Sequence, residues 1–355
     1  MAQNSNHLVI MAGGVGSRFW PMSTEEKPKQ FIDVLGVGRS LLQLTLDRFE
    51  SICSPENVWI VTNKRYFDIV KEQMPEVPVS NILCEPCRRN TAPCIAYVSW
   101  RIKSVDPHAN IVVTPSDHLV TNPVEFRKII TQCLQFTSES DSIVTLGIKP
   151  TRPETGYGYI QADLASSSAR NKGIYRVDQF HEKPNLATAK EYIKDQSYLW
   201  NSGIFIWSLS TIINAFRVYQ PSMSRLFDSL KDVYGTPEEQ KVIDERYAEC
   251  ENISVDYAIM EKAEEIFVRP SDFGWSDLGT WGSLLTQTKT DLYGNGVIGQ
   301  NVALYDSHNC IVHTTQEKKV VIQGLDGYIV AEQNDTLLIC KLSEEQRIKQ
   351  FSGNQ

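Results

Sequence analysis

Arg18 and Lys29 stand eleven residues apart, just past the glycine-rich turn Gly13-Gly14-Val15-Gly16-Ser17 that follows the apolar run HLVIMA at residues 7–12. Glycines directly after a strand let backbone N–H groups approach phosphate oxygens, and a helix start adds a favourable dipole. The turn lacks the Lys-Ser/Thr ending of a P-loop and the third glycine of a dinucleotide fingerprint. A guanidinium at position 18 can grip a phosphate through two parallel hydrogen bonds, and a lysine at 29 adds a compact point charge. On these residues alone the glycines read equally as a tight turn, and Lys27 with Lys29 as a solvated surface.

Two aspartates carry the next signal. Asp117, in Pro115-Ser116-Asp117-His118, follows the run IVVT, and the carboxyl end of a strand is where ligands sit in open α/β sheets. Asp277 lies in FGWSDLGTW among glycines and tryptophans. Together they could hold Mg²⁺, which takes a few carboxylate oxygens plus substrate phosphates. An N-capping or Asx-turn role competes for Asp117, and His118 reads as structural. Glu182 and Lys183 in EKP and Asn201 in WNSGIF suit sugar hydroxyls and a phosphate, though each also fits a turn or a surface pair. The loop ETGYGYI, containing Gly158, reads as a cover for a site or as a hairpin.

These residues need a scaffold. Apolar runs at 7–12, 58–62, 111–114 and 142–148 alternate with helical patterns at 40–50, 66–74, 93–105 and 126–136. That rhythm predicts a Rossmann-like, mostly parallel sheet with helices on both faces. From 150 to 285 the pattern loosens. Beyond residue 291 short apolar runs follow one another without helices, which predicts a small β-rich domain closed by a helical tail over 343–351. The expected boundaries are therefore 1–288 for a catalytic domain and 289–355 for the β-rich one.

A net charge of −8 over 355 residues argues against nucleic acid or anionic membrane as partner. No stretch approaches the ~20 apolar residues of a membrane span and no basic leader precedes one, so the expected compartment is the cytoplasm. Eight cysteines form no close framework. Cys84 and Cys87 make one CxxC without a second ligand pair, so packing outweighs zinc.

As a set, the stretches GGVGSRFWPMSTEEKPKQF, EPCRRNTAPCIA, PSDH, ETGYGYI, EKP, WNSGIF, SVDYAIMEK and GWSDLGTW resemble the sugar-1-phosphate nucleotidylyltransferase family across nearly the whole chain. Within it, the Arg-x-Trp-Pro and Pro-Lys-Gln-Phe parts resemble the branch using mannose 1-phosphate and GTP. The resemblance implies in-line attack of the sugar phosphate on the α-phosphorus of GTP, with Mg²⁺ and a C-terminal β-helix-like domain. It implies nucleotide contacts at Ala12, Gly13, Gly14, Gly16, Ser17, Arg18, Glu85, Asn90, Thr91, Pro115 and Asp117. Sugar-phosphate contacts fall at Gly158, Glu182, Lys183, Asn201 and Asp277, and the catalytic set is Arg18, Lys29, Lys183, Asp117 and Asp277. Glu85 matches the base-reading position, where a carboxylate could accept both donors of guanine's Watson–Crick edge. Relatives with an appended isomerase domain are longer, so no isomerase activity is expected here. Two alternatives stand beside this reading: a nucleotidylyltransferase for another sugar 1-phosphate, and a silent sugar-nucleotide sensor. A homodimer through the β-rich domain is expected, because apolar sheet edges are normally covered.

Overall fold

In the computed structural model, which describes residues 5–166, 173–314 and 318–353, nine strands form one mixed sheet. They are β1 (Asn6–Ala12), β2 (Val58–Asn63), β3 (Ile82–Glu85), β4 (Asn110–Pro115), β5 (Ile143–Ile148), β6 (Tyr159–Asp163), β7 (Tyr175–His181), β8 (Tyr198–Ser208) and β9 (Ile266–Ser271). Their order is β3-β2-β1-β4-β8-β5-β9-β7-β6. β3, β2, β1 and β4 run parallel, as the alternation of apolar runs and helices predicts. The chain order reverses between β1 and β4, where Met11 lies opposite Pro115, so the segments beginning at Gly13 and Ser116 leave the sheet at the same edge. That reversal is the usual place for a ligand in an open sheet.

The stretch from 150 to 285, loosely patterned in sequence, holds the antiparallel part. β8 runs antiparallel between β4 and β5, and the hairpin β6–β7 closes the far edge. Helices start where polar caps precede apolar faces. Asn90 accepts the N–H of Thr91 at the head of Thr91–Lys103, and Asn122 accepts that of Glu125 ahead of Pro123–Ser138. The buried faces of β1, β2, β4 and Thr91–Lys103 join one core with Trp207, Phe216 and Phe227.

After Gly294 come β10 (Gly296–Ile298), β11 (Val302–Tyr305), β12 (Ile311–His313), β13 (Val320–Gln323), β14 (Tyr328–Gln333) and β15 (Thr336–Lys341). β10, β12 and β14 stack in parallel with Ile298, His313 and Ala331 in register, and β11 pairs in parallel with β13. Parallel pairing of strands one coil apart makes the domain β-helix-like. β15 turns back antiparallel on β14. The tail is a 3₁₀ helix, Leu342–Arg347, continuing into the short α-helix Ile348–Phe351.

Compactness does not follow chain order. One unit comprises the residues up to Gly13, Asp47–Pro115 and Val120–Trp275. The other gathers Gly14–Leu46, Ser116–Leu119 and the chain from Ser276 onward. In the second unit Phe19, Met22 and Leu41 share a core with Trp281, Ile298, Ile311, Ile329 and Ile348.

Candidate functional site

Within the second unit, Gly16, Ser17, Arg18, Lys29, Asp117 and Asp277 line one open cleft of about 280 Å³, together with Phe19, His118, Gly279 and Lys349. The glycine turn is held from behind. Gln30 donates to the Gly14 carbonyl at 2.8 Å and Ser23 to that of Val15 at 2.6 Å. Among the described residues, nothing accepts from the N–H groups of Gly14, Val15, Gly16 or Ser17, so these donors are uncommitted. Gly16 is obligatory. Its φ is +66°, and a Cβ there would stand 2.5 Å from that of Lys29.

Lys29 is neither a surface residue nor an open clamp. Its ammonium is buried, 2.9 Å from Asp117 Oδ2, and donates to the carbonyls of Asp277 at 3.0 Å and Leu278 at 2.9 Å. It also lies 5.5 Å from the centre of the Phe19 ring. Burial pushes the Asp117 carboxyl up, but Lys29 and His118 outweigh it and hold the group below the usual carboxylate range. Asp277 turns its Oδ1 to the Gly279 N–H at 3.0 Å, and Arg18 reaches the Gly279 carbonyl at 3.5 Å. Among the described residues no three His, Cys, Asp or Glu side chains converge as a protein-only metal centre.

The other expected residues belong to the first unit and form two groups. Glu85, at the end of β3, is buried and accepts the Tyr247 hydroxyl. Burial pushes its carboxyl up to about 7 against that hydrogen bond. Gly13 lies close, since a Cβ there would sit 3.7 Å from Glu85 Oε2. Asn90 and Thr91 open the helix Thr91–Lys103, and Thr91 Oγ1 accepts the Val255 N–H at 2.9 Å. Ala12 ends β1, and its carbonyl accepts the Thr62 hydroxyl at 2.9 Å.

The second group gathers around Asn201 on β8. Its Oδ1 accepts from the Thr145 hydroxyl and the Gly203 N–H, both at 3.1 Å, while Nδ2 donates to Asp256 Oδ1 at 2.9 Å. Glu182 is 2.6 Å from Lys183 Nζ and has a side chain only 6% exposed. Although burial opposes the charge, the Glu182 carboxylate holds the Lys183 ammonium above its ordinary range. A Cβ on Gly158 would meet Glu182 Oε2 at 2.6 Å, so glycine is what admits that carboxylate. Burial of its carboxyl, reinforced by Glu182, pushes Asp256 up to about 6.

Three residues, two of these groups and one of the cleft, give no sequence signal that assigns them a role. Asp256 lies in the stretch SVDYAIMEK, where an acid next to the apolar Val255 is the one signal that singles it out. Tyr247 gave no signal, because its partner is 162 positions away. Lys349 gave none either.

This fold is that of a nucleotidyltransferase, and the chain belongs to the nucleotidyl transferase family, whose pattern matches residues 7–293. Residues 299–352 match the MannoseP isomerase/GMP-like beta-helix domain. The chain is 34% identical to a mannose-1-phosphate guanylyltransferase of Escherichia coli over 96% of its own length and 74% of that protein's. It is 35% identical to the alginate biosynthesis protein AlgA of Pseudomonas fluorescens, over 97% of this chain and 70% of the relative. A solved structure from Thermus thermophilus, described as a mannose-1-phosphate geranyltransferase, superposes with a TM-score of 0.87 at 30% identity, covering 98% of both chains. The protein is thus an enzyme, a sugar-phosphate nucleotidyltransferase with a β-helix-like C-terminal domain. No helix among its described residues is long and apolar enough to cross a membrane.

Proposed function

We propose that the chain transfers GMP from GTP to α-D-mannose 1-phosphate, giving GDP-mannose and diphosphate. The observation that carries this reading is the cleft of the second unit, where uncommitted backbone donors and Arg18 face the carboxylates of Asp117 and Asp277. The names of the relatives support the choice of mannose 1-phosphate and of a guanylyl group.

An oxygen of the sugar phosphate attacks the α-phosphorus in line, and the bond from that phosphorus to the β-phosphate oxygen breaks. A phosphate monoester has a second pKa of about 6, so the nucleophile is already dianionic at neutral pH and no general base is required. Catalysis then comes from positioning and charge neutralisation. Arg18 and the N–H groups of Gly14 to Ser17 hold the triphosphate. Lys183 holds the sugar phosphate, with Gly158, Glu182 and Asn201 reading hydroxyls. Glu85 reads the base, with Ala12, Gly13, Asn90, Thr91 and Pro115 forming the rest of the nucleotide contacts.

Asp117 and Asp277 fit Mg²⁺, because two carboxylates on one cleft are the oxygen donors such an ion shares with substrate phosphates. When bound, Mg²⁺ supplies positive charge to phosphate oxygens and aligns them. Lys29 fixes Asp117 and the turn at Asp277–Leu278, and so shapes both ligands.

Diphosphate release with GTP, Mg²⁺ and a panel of sugar 1-phosphates tests the reading. The expected result is the highest kcat/KM with mannose 1-phosphate and a preference for GTP over ATP. Absence of release with every sugar would overturn the enzyme assignment, and a better sugar would name another substrate.

A further inference from the structure

Lys349 belongs to the last helix of the β-helix-like domain, yet it lines the same cleft as Arg18, Lys29, Asp117 and Asp277. Its position is fixed from two sides. Ile348, fully buried, packs into the core that contains Phe19, next to Arg18. Glu345, four residues earlier, accepts the Gly282 N–H at 2.8 Å, close in sequence to Asp277 and Gly279. The cation at Arg347 is committed elsewhere, to Glu344 at 2.8 Å and over the Phe351 ring. Among the described residues, no carboxylate lies in ion-pair range of Lys349.

Charge accounting within the cleft makes this placement consequential. Lys29 spends its three N–H donors on Asp117 and two carbonyls. Arg18 has one long contact, to Gly279. The cations available to an incoming anion are therefore Arg18 and Lys349. We propose that Lys349 is a diphosphate-binding residue, pairing across the cleft with Arg18 on the β- and γ-phosphates of the nucleotide and on the diphosphate that departs. The C-terminal domain thereby contributes directly to the nucleotide site. This assignment rests on the reading of the cleft as a triphosphate site.

Calorimetric titration of the full-length protein with diphosphate and Mg²⁺ tests it without requiring turnover. K349A weakens diphosphate binding by about 10- to 100-fold, the loss typical of one charge-assisted hydrogen bond. K349R restores most of it, and K341A, which removes a lysine from β15, leaves the affinity unchanged. In the reverse reaction with GDP-mannose, K349A raises KM for diphosphate while KM for GDP-mannose stays put, which a merely structural role would not produce. Equal diphosphate affinity in the wild type and K349A overturns the proposal, as does a wild type that binds no diphosphate. A wild type that binds diphosphate in a Lys349-dependent way but turns over no sugar nucleotide overturns the proposed function instead.

Discussion

Lys29 Nζ stands 2.9 Å from Asp117 Oδ2, with its remaining donors on the carbonyls of Asp277 and Leu278, so one buried ammonium ties together the two segments that carry the carboxylates. Replacing it with methionine leaves Asp117 without its nearest cation and two carbonyls without a donor. The expected stability loss is about 1–3 kcal/mol. The kcat should fall by about 10²- to 10³-fold, as when one preorganised charge is removed from a phosphate site. Thermal denaturation beside steady-state kinetics checks both, and an unchanged melting temperature would show that the tie is not structural.

Gly16 and Gly14 separate two uses of glycine. Gly16→Ala puts a Cβ 2.5 Å from that of Lys29 at a φ of +66°, and should destabilise by about 1–3 kcal/mol. Gly14→Ala meets nothing within 4 Å at an ordinary φ, and should change stability by less than about 0.5 kcal/mol. Chemical denaturation of both variants decides the matter. Equal losses would contradict the steric argument.

Glu85 predicts a slope in stability with pH. Its carboxyl titrates at about 7 in the fold against an ordinary 4.5, so its contribution is fully present below about pH 4.5 and is lost as pH rises through about 7. The loss is on the order of 3 kcal/mol. Glu85→Gln has no such proton to lose. Urea midpoints at pH 5 and pH 8 should fall further for the wild type than for the variant, and parallel profiles would refute the claim.

Much of this was legible in the chain itself, for identifiable reasons. The strands up to β5 are continuous apolar runs punctuated by turns, and that contrast survives without tertiary knowledge. Glycines, Arg18, Asp117 and Asp277 stand out because their neighbours are of another kind. What escaped notice depends on distance along the chain. β8 carries WNSGIF, whose polar residues break the strand pattern because Asn201 is held by Thr145 and Asp256 from other elements. Lys29 is legible as a cation for phosphate or as a surface charge, but its burial against Asp117 and the 277–278 carbonyls is not, because those partners lie far along the chain. Lys349 sits in a charged tail, and nothing local distinguishes it from Lys341.

Asp256 is expected to act on the sugar through Asn201. Asp256→Ala removes the acceptor of Asn201 Nδ2 and should raise KM for the sugar 1-phosphate about tenfold or more, leaving KM for the nucleotide unchanged. Asp256→Asn keeps an acceptor and should recover most of the loss. A uniform fall in kcat, without a KM split, would remove the residue from this role.

Truncation after residue 288 should not yield a folded catalytic fragment. It deletes Ile298, Ile311, Ile329, Ala331, Leu338, Cys340 and Ile348, half of the buried core that Phe19 and Leu41 share. The expected product is aggregated or protease-sensitive between residues 14 and 46. A truncated chain with native-like protection there would overturn the inference.

The gathering of Gly14–Leu46 with the chain from Ser276 onward also sets a timetable for synthesis. Roughly 230 residues separate these segments, about 10–50 s of elongation at ~5–20 residues per second. Phe19, Met22, Val34 and Leu41 emerge while their partners from Leu278 onward are still untranslated. The segment Gly14–Leu46 is therefore made well before its core can be completed, and it is the stretch a nascent chain most needs to keep from aggregating.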